Sequence, residues 1–175
     1  MTKNVDTRVG APGDLGAIES LYPEAFPEED LLPLVRDLLG ESNGTLSLVA
    51  TADSSLVGHV VFTNCRVADS DGRAALLGPL VVAAAWRGRR IGTAIVRDGL
   101  LRLTESGIRQ VFVLGDPAYY GRLGFRPESL VTPPYELPFE WMDAWQSQSL
   151  TEAATPLSGK LLVPRPWLRS ELWLP

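Results

Sequence analysis

The pattern of apolar residues changes once along the chain, and this change constrains the fold more than any other feature. Residues 45–51, 56–67 and 74–82 are apolar or alternating segments separated by the turn sequences ADSS and ADSDGR, and they predict an antiparallel meander. The third segment is nearly all apolar, which favours a central strand. Residues 92–106 then predict an amphipathic helix, and residues 109–116 predict a strand parallel to the third. The pattern therefore predicts an α/β fold with a mixed sheet, in which a meander precedes a βαβ unit.

The segment before the meander predicts two helices. Asp14 has the chemistry of an N-cap for the first, and Pro23 and Pro27 are expected to interrupt it. The second is expected to start at Asp30 and to stop at Gly40. Asp71-Gly72, within the second turn of the meander, is a strong hairpin signal. A short helix is expected over residues 117–125.

The carboxy-terminal third is rich in proline and tryptophan and is less regular. A single domain is expected over residues 1–175, with 126–175 as a less typical extension. The segment KLLVPRPWL, residues 160–168, predicts a closing strand. Its tryptophans are expected to pack in the core or in a dimer interface, or alternatively to form the wall of a substrate pocket. These tryptophans are Trp141, Trp145, Trp167 and Trp173.

Composition excludes several classes of function. The single cysteine, Cys65, cannot form an intrachain disulfide and suits a reducing compartment. A net charge of −5 argues against general nucleic-acid binding and suits a cationic partner such as an amine. With His59 as the only histidine and no CxxC, no metal site is expected. No apolar run reaches the length of about 20 residues that a membrane span needs, so a cytoplasmic protein without membrane contact is expected.

WRGRRIG, residues 86–92, places three arginines and two glycines between the third strand and the following helix. Free N–H groups at a helix start attract anions, glycines allow close backbone approach, and arginine binds phosphate bidentately. A solvated basic turn is the alternative for the bare segment. The Walker pattern is absent, and the spacing differs from the dinucleotide-binding GxGxxG.

LGPLVVAAAWRGRRIGTAIV resembles the acetyl-CoA signature of the GNAT superfamily of N-acetyltransferases, R/Q-x-x-G-x-G/A. Arg87 matches its first position and Gly92 its last, whereas Arg90 replaces the first glycine. YYGRLGF resembles a second family element, Y-x-x-x-G-F, with Tyr120 and Phe125 at its ends, and VLGDPAYYGRLGFRP is similar to one bacterial branch of the superfamily. The resemblance covers roughly residues 6–130.

This resemblance implies transfer of an acetyl group from acetyl-CoA to an amine. It also implies that two parallel strands splay apart around the pantetheine arm, with a bulge at Pro79 as one reading and a simple kink as the other. The residues that it implies for cofactor binding are Leu80, Val81, Val82, Arg87, Gly88, Arg89, Arg90, Ile91, Gly92, Thr93, Ala94 and Tyr120.

Tyr120 is the candidate general acid for the CoA thiolate, since a phenol has a pKa of about 10, close to that of a thiol. Its alternative role is aromatic packing. His59 is a candidate base because of its intrinsic pKa, although a lone strand histidine is more often structural. Glu28 and Glu29 are candidate substrate-binding carboxylates, or they complement a helix dipole. Cys65 has no base partner in view and is expected to be structural.

The alternatives to an acetyltransferase are an acyl-CoA-binding sensor without catalysis and a transferase of a longer acyl group. The acceptor is expected to be a small-molecule or peptide amine, and a homodimer is the common case for the family.

Overall fold

The computed structural model describes residues 4–40, 44–152 and 155–174 of the chain. These fall into two units, Met1–Phe62 with Gly78–Gly99, and Thr63–Leu77 with Leu100–Pro175. Within the described part, the helices are α1 (Leu15–Ala25), α2 (Leu32–Gly40), α3 (Ile91–Glu105) and α4 (Pro117–Gly121). The strands are β1 (Val5–Val9), β2 (Thr45–Ala52), β3 (Ser55–Val67), β4 (Arg73–Val82), β5 (Gln110–Leu114), β6 (Arg126–Pro127), β7 (Val131–Thr132), β8 (Trp145–Ser149) and β9 (Gly159–Leu162). The expectation of a single domain stays a prediction.

The first unit contains the start of the predicted meander. Its strands lie in the order β1-β2-β3-β4, and β1 pairs antiparallel with β2 from Val5 opposite Ala52 to Val9 opposite Leu48. The turn between β2 and β3 has φ of +50° at Asp53 and +65° at Ser54. Two consecutive left-handed residues are typical of a two-residue hairpin.

Helices α1 and α2 cover one face of this sheet with an apolar cluster. The buried members of the cluster are Ile18, Leu21, Tyr22, Val35, Val49 and Val81.

The expected interruption of α1 at Pro23 is wrong, because α1 continues to Ala25. Pro23 lies in the last turn and is exposed, so water can solvate the carbonyl that loses its N–H partner. The expected cap by Asp14 is also wrong, because its carboxylate binds the Arg8 guanidinium at 2.7 and 2.9 Å instead.

The second unit contains the strand pairing that defines the βαβ unit. β4 pairs parallel with β5, from Ala74 opposite Gln110 to Leu77 opposite Val113, which confirms the predicted parallel pair. β5 then pairs antiparallel with β8, and β8 with β6. The closing strand predicted near residue 160 is β9, which pairs with the end of β3.

The turn between β3 and β4 differs from the predicted Asp-Gly hairpin. The left-handed residue is Asp69, with φ of +58°, rather than Gly72. Gly72 lies against a side chain of the second unit instead, since a Cβ there would lie 2.6 Å from Cδ2 of Leu157, and that side chain would have to shift.

Three of the four carboxy-terminal tryptophans belong to the core of the second unit, as predicted. Trp145 stacks on Phe112 with ring centroids 5.6 Å apart, and Trp173 lies edge-on to Trp145 at 5.8 Å. The indole N–H of Trp167 donates to Oγ1 of Thr63 at 3.1 Å, so this ring is anchored at its polar end. Trp141 is only partly buried.

Gly99 in α3 leaves room for a core aromatic ring. A Cβ at Gly99 would lie 2.1 Å from Cε2 of Phe62. We expect Gly99→Ala to lower the free energy of unfolding by about 1–3 kcal/mol, because the overpacking outweighs the gain in helix propensity. Gly16→Ala in α1 is the matched control, since nothing lies within 4 Å of its Cβ position. Urea denaturation of both variants checks this, and equal stabilities would contradict it.

No helix in the described ranges combines the length and the apolar character that a membrane span requires.

Candidate active site

The turn before α3 exposes a cluster of positive charge beside free backbone donors. Arg87, Arg89 and Arg90 are exposed, and α3 begins at Ile91. The N–H of Ala94 donates to the carbonyl of Arg90 at 3.0 Å, which is the first bond of the helix. The three preceding amides, at residues 91–93, therefore have no acceptor within the helix. Together with the helix dipole and the arginines, they have the chemistry that an anion site needs, and we call residues 87–93 the anion site. The N–H of Ala94 already donates within the helix, and the cofactor role of this residue stays a prediction.

Two residues of this turn have left-handed backbone conformations. Gly88 has φ of +77° and Arg90 has φ of +61°. Arg90 occupies the position at which the acetyl-CoA signature R/Q-x-x-G-x-G/A has its first glycine. The left-handed backbone there explains why the signature has glycine at this position, since a residue with a side chain pays about 1–2 kcal/mol for this conformation.

We expect Arg90→Gly to raise the free energy of unfolding by about 0.5–1 kcal/mol, because relief of the left-handed conformation exceeds the entropic cost of glycine. Arg89→Gly is the control. It gains no such relief and loses the contact of the Arg89 guanidinium with the Trp86 ring, 4.7 Å from its centroid. Thermal unfolding of the two variants should therefore shift in opposite directions, and a loss of stability in Arg90→Gly would contradict this reading of the turn.

The end of β4 presents one free edge in the first unit. The N–H of Ala83 donates to the carbonyl of Val57 on β3 at 2.8 Å. Backbone groups alternate along a strand, so those of Val81 also point towards β3, whereas those of Leu80 and Val82 point to the opposite edge. This arrangement fits the expected pantetheine contacts of Leu80 and Val82. The cofactor role predicted for Val81 has no such support from its backbone.

The middle of β4 departs from regular strand geometry at Gly78. Its φ is +142°, a value that only glycine adopts readily, and the Gly78–Pro79 peptide is cis. The parallel register with β5 ends one residue earlier, at Leu77. The distortion therefore lies at the residues that the resemblance implied, and the bulge at Pro79 stays a prediction.

Tyr120 lies in α4 of the second unit, and the local sequence determines its place. The Asp116 carboxylate accepts a hydrogen bond from the Ala118 N–H at 2.9 Å, which caps the helix. Gly115 makes room for the phenol ring, because a Cβ there would lie 2.4 Å from Cε2 of Tyr120. Phe125 packs edge-on against Tyr120 with centroids 5.7 Å apart.

Burial raises the pKa of the Tyr120 phenol above its ordinary value, and the nearby Tyr119 adds to the shift. The hydroxyl therefore stays protonated at neutral pH, which is the form that a general acid needs. Gly115 and Asp116 were not anticipated from the sequence, although Asp-Pro after an apolar strand is a signal for a capped helix start.

His59 lies in β3 and is fully buried. Nδ1 lies 2.6 Å from the Tyr22 hydroxyl, and Nε2 lies 2.9 Å from the Ser47 hydroxyl. Burial lowers the pKa of His59 to about 4, against a smaller raising effect of the Asp14 charge. Both ring nitrogens are thus occupied, one by a side chain of α1 and the other by a side chain of β2. These contacts favour a structural role, and the catalytic role stays a prediction.

The depressed pKa of His59 predicts a loss of stability in acid. Between about pH 6.5 and pH 4 the unfolded chain binds a proton at this residue and the folded chain does not. The free energy of unfolding should therefore fall by about 3 kcal/mol over this window as the pH is lowered. His59→Gln removes the titration and should flatten the slope. Asp14, whose pKa is lowered to about 2 by its hydrogen bonds to Arg8 and Ala11, acts only at lower pH. A slope that His59→Gln leaves unchanged would contradict this assignment.

The remaining candidate residues lie apart from these groups or are buried. Glu28 and Glu29 are exposed in the segment between α1 and α2, three to four residues before α2 begins. Cys65 is buried, and burial raises the pKa of its thiol to about 12. A thiol that is protonated and shielded from solvent is a poor nucleophile, which agrees with the expected structural role.

The structure thus assembles the arginine turn, the free edge of β4, His59 and the two glutamates in the first unit. It assembles Gly115, Asp116 and Tyr120 in the second unit.

Comparisons with known proteins bear on both units. The model of a family described as the acetyltransferase (GNAT) family matches residues 15–125. The Escherichia coli K12 protein named uncharacterized N-acetyltransferase YjhQ is 32% identical over 155 residues, which cover 85% of this chain and 86% of YjhQ.

Two crystal structures are similar over nearly the whole chain. The E. coli GNAT family N-acetyltransferase YhbS, in complex with CoA, matches with a TM-score of 0.87 and 30% identity, covering 97% of this chain and 94% of YhbS. A GNAT family acetyltransferase from Brucella melitensis, in complex with acetyl-CoA, matches with a TM-score of 0.77 and 25% identity, covering 94% of this chain and 99% of that protein.

Proposed function

The chain belongs to the acetyltransferase (GNAT) family and has its fold, and from this premise we propose that it transfers an acetyl group from acetyl-CoA to a primary amine. Membership of the family and the CoA-bound structures of its relatives support acyl transfer from CoA in general. The acetyl group, the amine and the roles of individual residues are the proposal. We also propose that the acceptor is a small-molecule or peptide amine and that the protein is located in the cytoplasm.

The anion site at the start of α3 is the observation that carries this proposal. It combines three exposed arginines with three helix amides that have no acceptor in the helix, over residues 87–93. A diphosphate needs this combination of fixed N–H donors and bidentate cations, since its charge is spread over several oxygens. In the proposal this site holds the diphosphate of acetyl-CoA.

The free edge of β4 has the groups that a pantetheine arm needs. The amides of the arm can extend the sheet by pairing with the backbone of Leu80 and Val82, as an added strand would. These backbone groups point away from β3, where Ala83 and Val57 make the neighbouring sheet bond.

We propose direct attack in a ternary complex. The neutral amine attacks the thioester carbonyl, and a C–N bond forms. A backbone N–H stabilises the tetrahedral oxyanion. The C–S bond then breaks, and the sulfur takes the proton of the Tyr120 hydroxyl. The amine loses its extra proton to water or to a carboxylate such as Glu28, and the Tyr120 phenolate takes a proton back from water, which restores the enzyme. An acyl-enzyme on Cys65 is disfavoured by the burial and raised pKa of its thiol.

The proposal is tested by incubating the protein with acetyl-CoA and a panel of primary amines, and by measuring free CoA thiol. We expect amine-dependent thiol release and an N-acetylated product by mass spectrometry. A sensor module would bind acetyl-CoA but release no thiol, either with an amine or by slow hydrolysis. Faster release from a longer acyl-CoA would instead identify a transferase of a different acyl group.

A further inference from the structure

One short helix of the second unit exposes apolar side chains in an unusual way. The 3₁₀ helix Phe139–Ala144 leaves Phe139 86% exposed and Met142 59% exposed. A 3₁₀ helix has three residues per turn, so these two side chains lie above one another on one face. We call this face, with the exposed carboxylates of Glu140 and Asp143, the Phe139 strip. Among the large apolar residues described, Phe139 is the most exposed.

The segment around this strip is acidic. Residues 127–159 contain five acidic residues and no lysine or arginine. Of the five carboxylates, Glu128 accepts bonds from Gln110 and Ser147, whereas Glu136 joins Glu140 and Asp143 in being exposed. The apolar side chains of the strip thus lie among exposed carboxylates.

Hydrogen bonds connect the strip to the surroundings of Tyr120. The carbonyl of Ala144, the last residue of the 3₁₀ helix, accepts a bond from the Gly115 N–H at 2.9 Å. The amide of Gln146 donates to the Gly115 carbonyl at 3.1 Å. Gly115 in turn lies directly against the Tyr120 ring. All of these residues belong to the second unit, and Gly115 contacts both the end of the strip and the ring of the candidate acid.

We propose that the Phe139 strip docks the acceptor, and that the acceptor is a basic peptide segment with apolar residues beside its lysine or arginine residues. This inference rests on the proposed acetyl transfer. The carboxylates attract a cationic chain, and the phenyl and thioether groups contact its apolar side chains.

Length and charge favour a peptide over other occupants. Five residue steps of a 3₁₀ helix span about 10 Å from Phe139 to Ala144, the length of about three extended residues. A small polyamine offers no apolar side chain to Phe139. A second copy bound strip to strip would place like charges against one another in a two-fold contact.

The test measures peptide binding separately from acetyl transfer. Fluorescence anisotropy follows the labelled heptapeptide GLRKRLG. The comparison peptides are GSRKRSG, in which serines replace the leucines, and GLEKELG, in which glutamates replace the arginines. We expect GLRKRLG to bind at least about tenfold more tightly than either. Phe139→Ser with Met142→Ser, and separately Glu140→Lys with Asp143→Lys, should each weaken GLRKRLG binding by a similar factor. Leu168→Ser with Glu171→Lys is the matched control at an exposed apolar and acidic pair elsewhere, and should bind normally.

Calorimetric titration with CoA on the same variants separates the two proposals. Normal CoA affinity with weakened peptide binding supports the strip as the docking site. Equal binding of all three peptides, or unchanged binding in the strip variants, overturns it and leaves the proposed function intact. A change of sedimentation coefficient in the strip variants also overturns it, since the occupant would then be a second copy. Failure of the wild type to bind CoA overturns the proposed function instead.

Discussion

Tyr120→Phe is expected to lower kcat by about 10²–10³-fold while the affinity for CoA stays nearly unchanged, because only the proton donor to the departing sulfur is lost. The substitution retains the ring. The ring therefore keeps its contact with Phe125 and still fills the space beside Gly115. Amine-dependent thiol release gives kcat, and calorimetry gives the dissociation constant for CoA.

Tyr119→Phe is the matched control, because it removes the same hydroxyl from the neighbouring residue. The ring centroids lie 4.9 Å apart and the ring planes are nearly perpendicular. Successive side chains of a helix leave its axis about 100° apart, so the two residues project in different directions. We expect Tyr119→Phe to keep most of the activity. Unchanged kcat in Tyr120→Phe would show that Tyr120 is not the general acid.

The second large effect is expected at the anion site. Gly92 is buried at the second residue of α3, next to the free amides of the first turn. Gly92→Trp should abolish measurable CoA binding, because an indole there occupies the space beside the N–H donors.

Arg87→Ala removes one cation that can bind phosphate bidentately. It should weaken CoA binding by about 10–100-fold, which corresponds to the free energy of one charge-assisted hydrogen-bonded pair.

Gly16→Trp is the control for the glycine substitution. Gly16 is exposed in α1 and nothing lies within 4 Å of its Cβ position, so the same change of size should leave CoA binding intact. Circular dichroism should show folded protein for each variant. Normal CoA affinity in folded Gly92→Trp would remove the anion site from the account.

The apolar segments made the centre of the fold predictable. β2, β3 and β4 each contain a run of three or more buried residues, and the change to a helical period at α3 marks the crossover to β5. β1 escaped prediction because it is short and none of its residues is fully buried, so VDTRV contains only two apolar residues. β8 escaped because its sequence is WQSQS, whose polar residues find partners in three dimensions, as Ser147 does with Glu128.

The site was predictable to the extent that its residues are neighbours in sequence. The arginine turn and the start of α3 form one continuous segment, so their chemistry can be read directly. The environment of His59 is different, because Tyr22 and Ser47 reach it from two other elements. The contact between Gly115 and Tyr120 likewise depends on side-chain packing, which residue spacing does not specify.

A crystal structure of the chain with CoA would show the proposed contacts directly. We expect the diphosphate to lie on the N–H groups and arginines of residues 87–93 and the pantetheine amides to pair with Leu80 and Val82. We also expect the sulfur to lie within hydrogen-bonding distance of the Tyr120 hydroxyl. A cofactor bound away from residues 87–93, or a sulfur out of reach of Tyr120, would contradict the proposal.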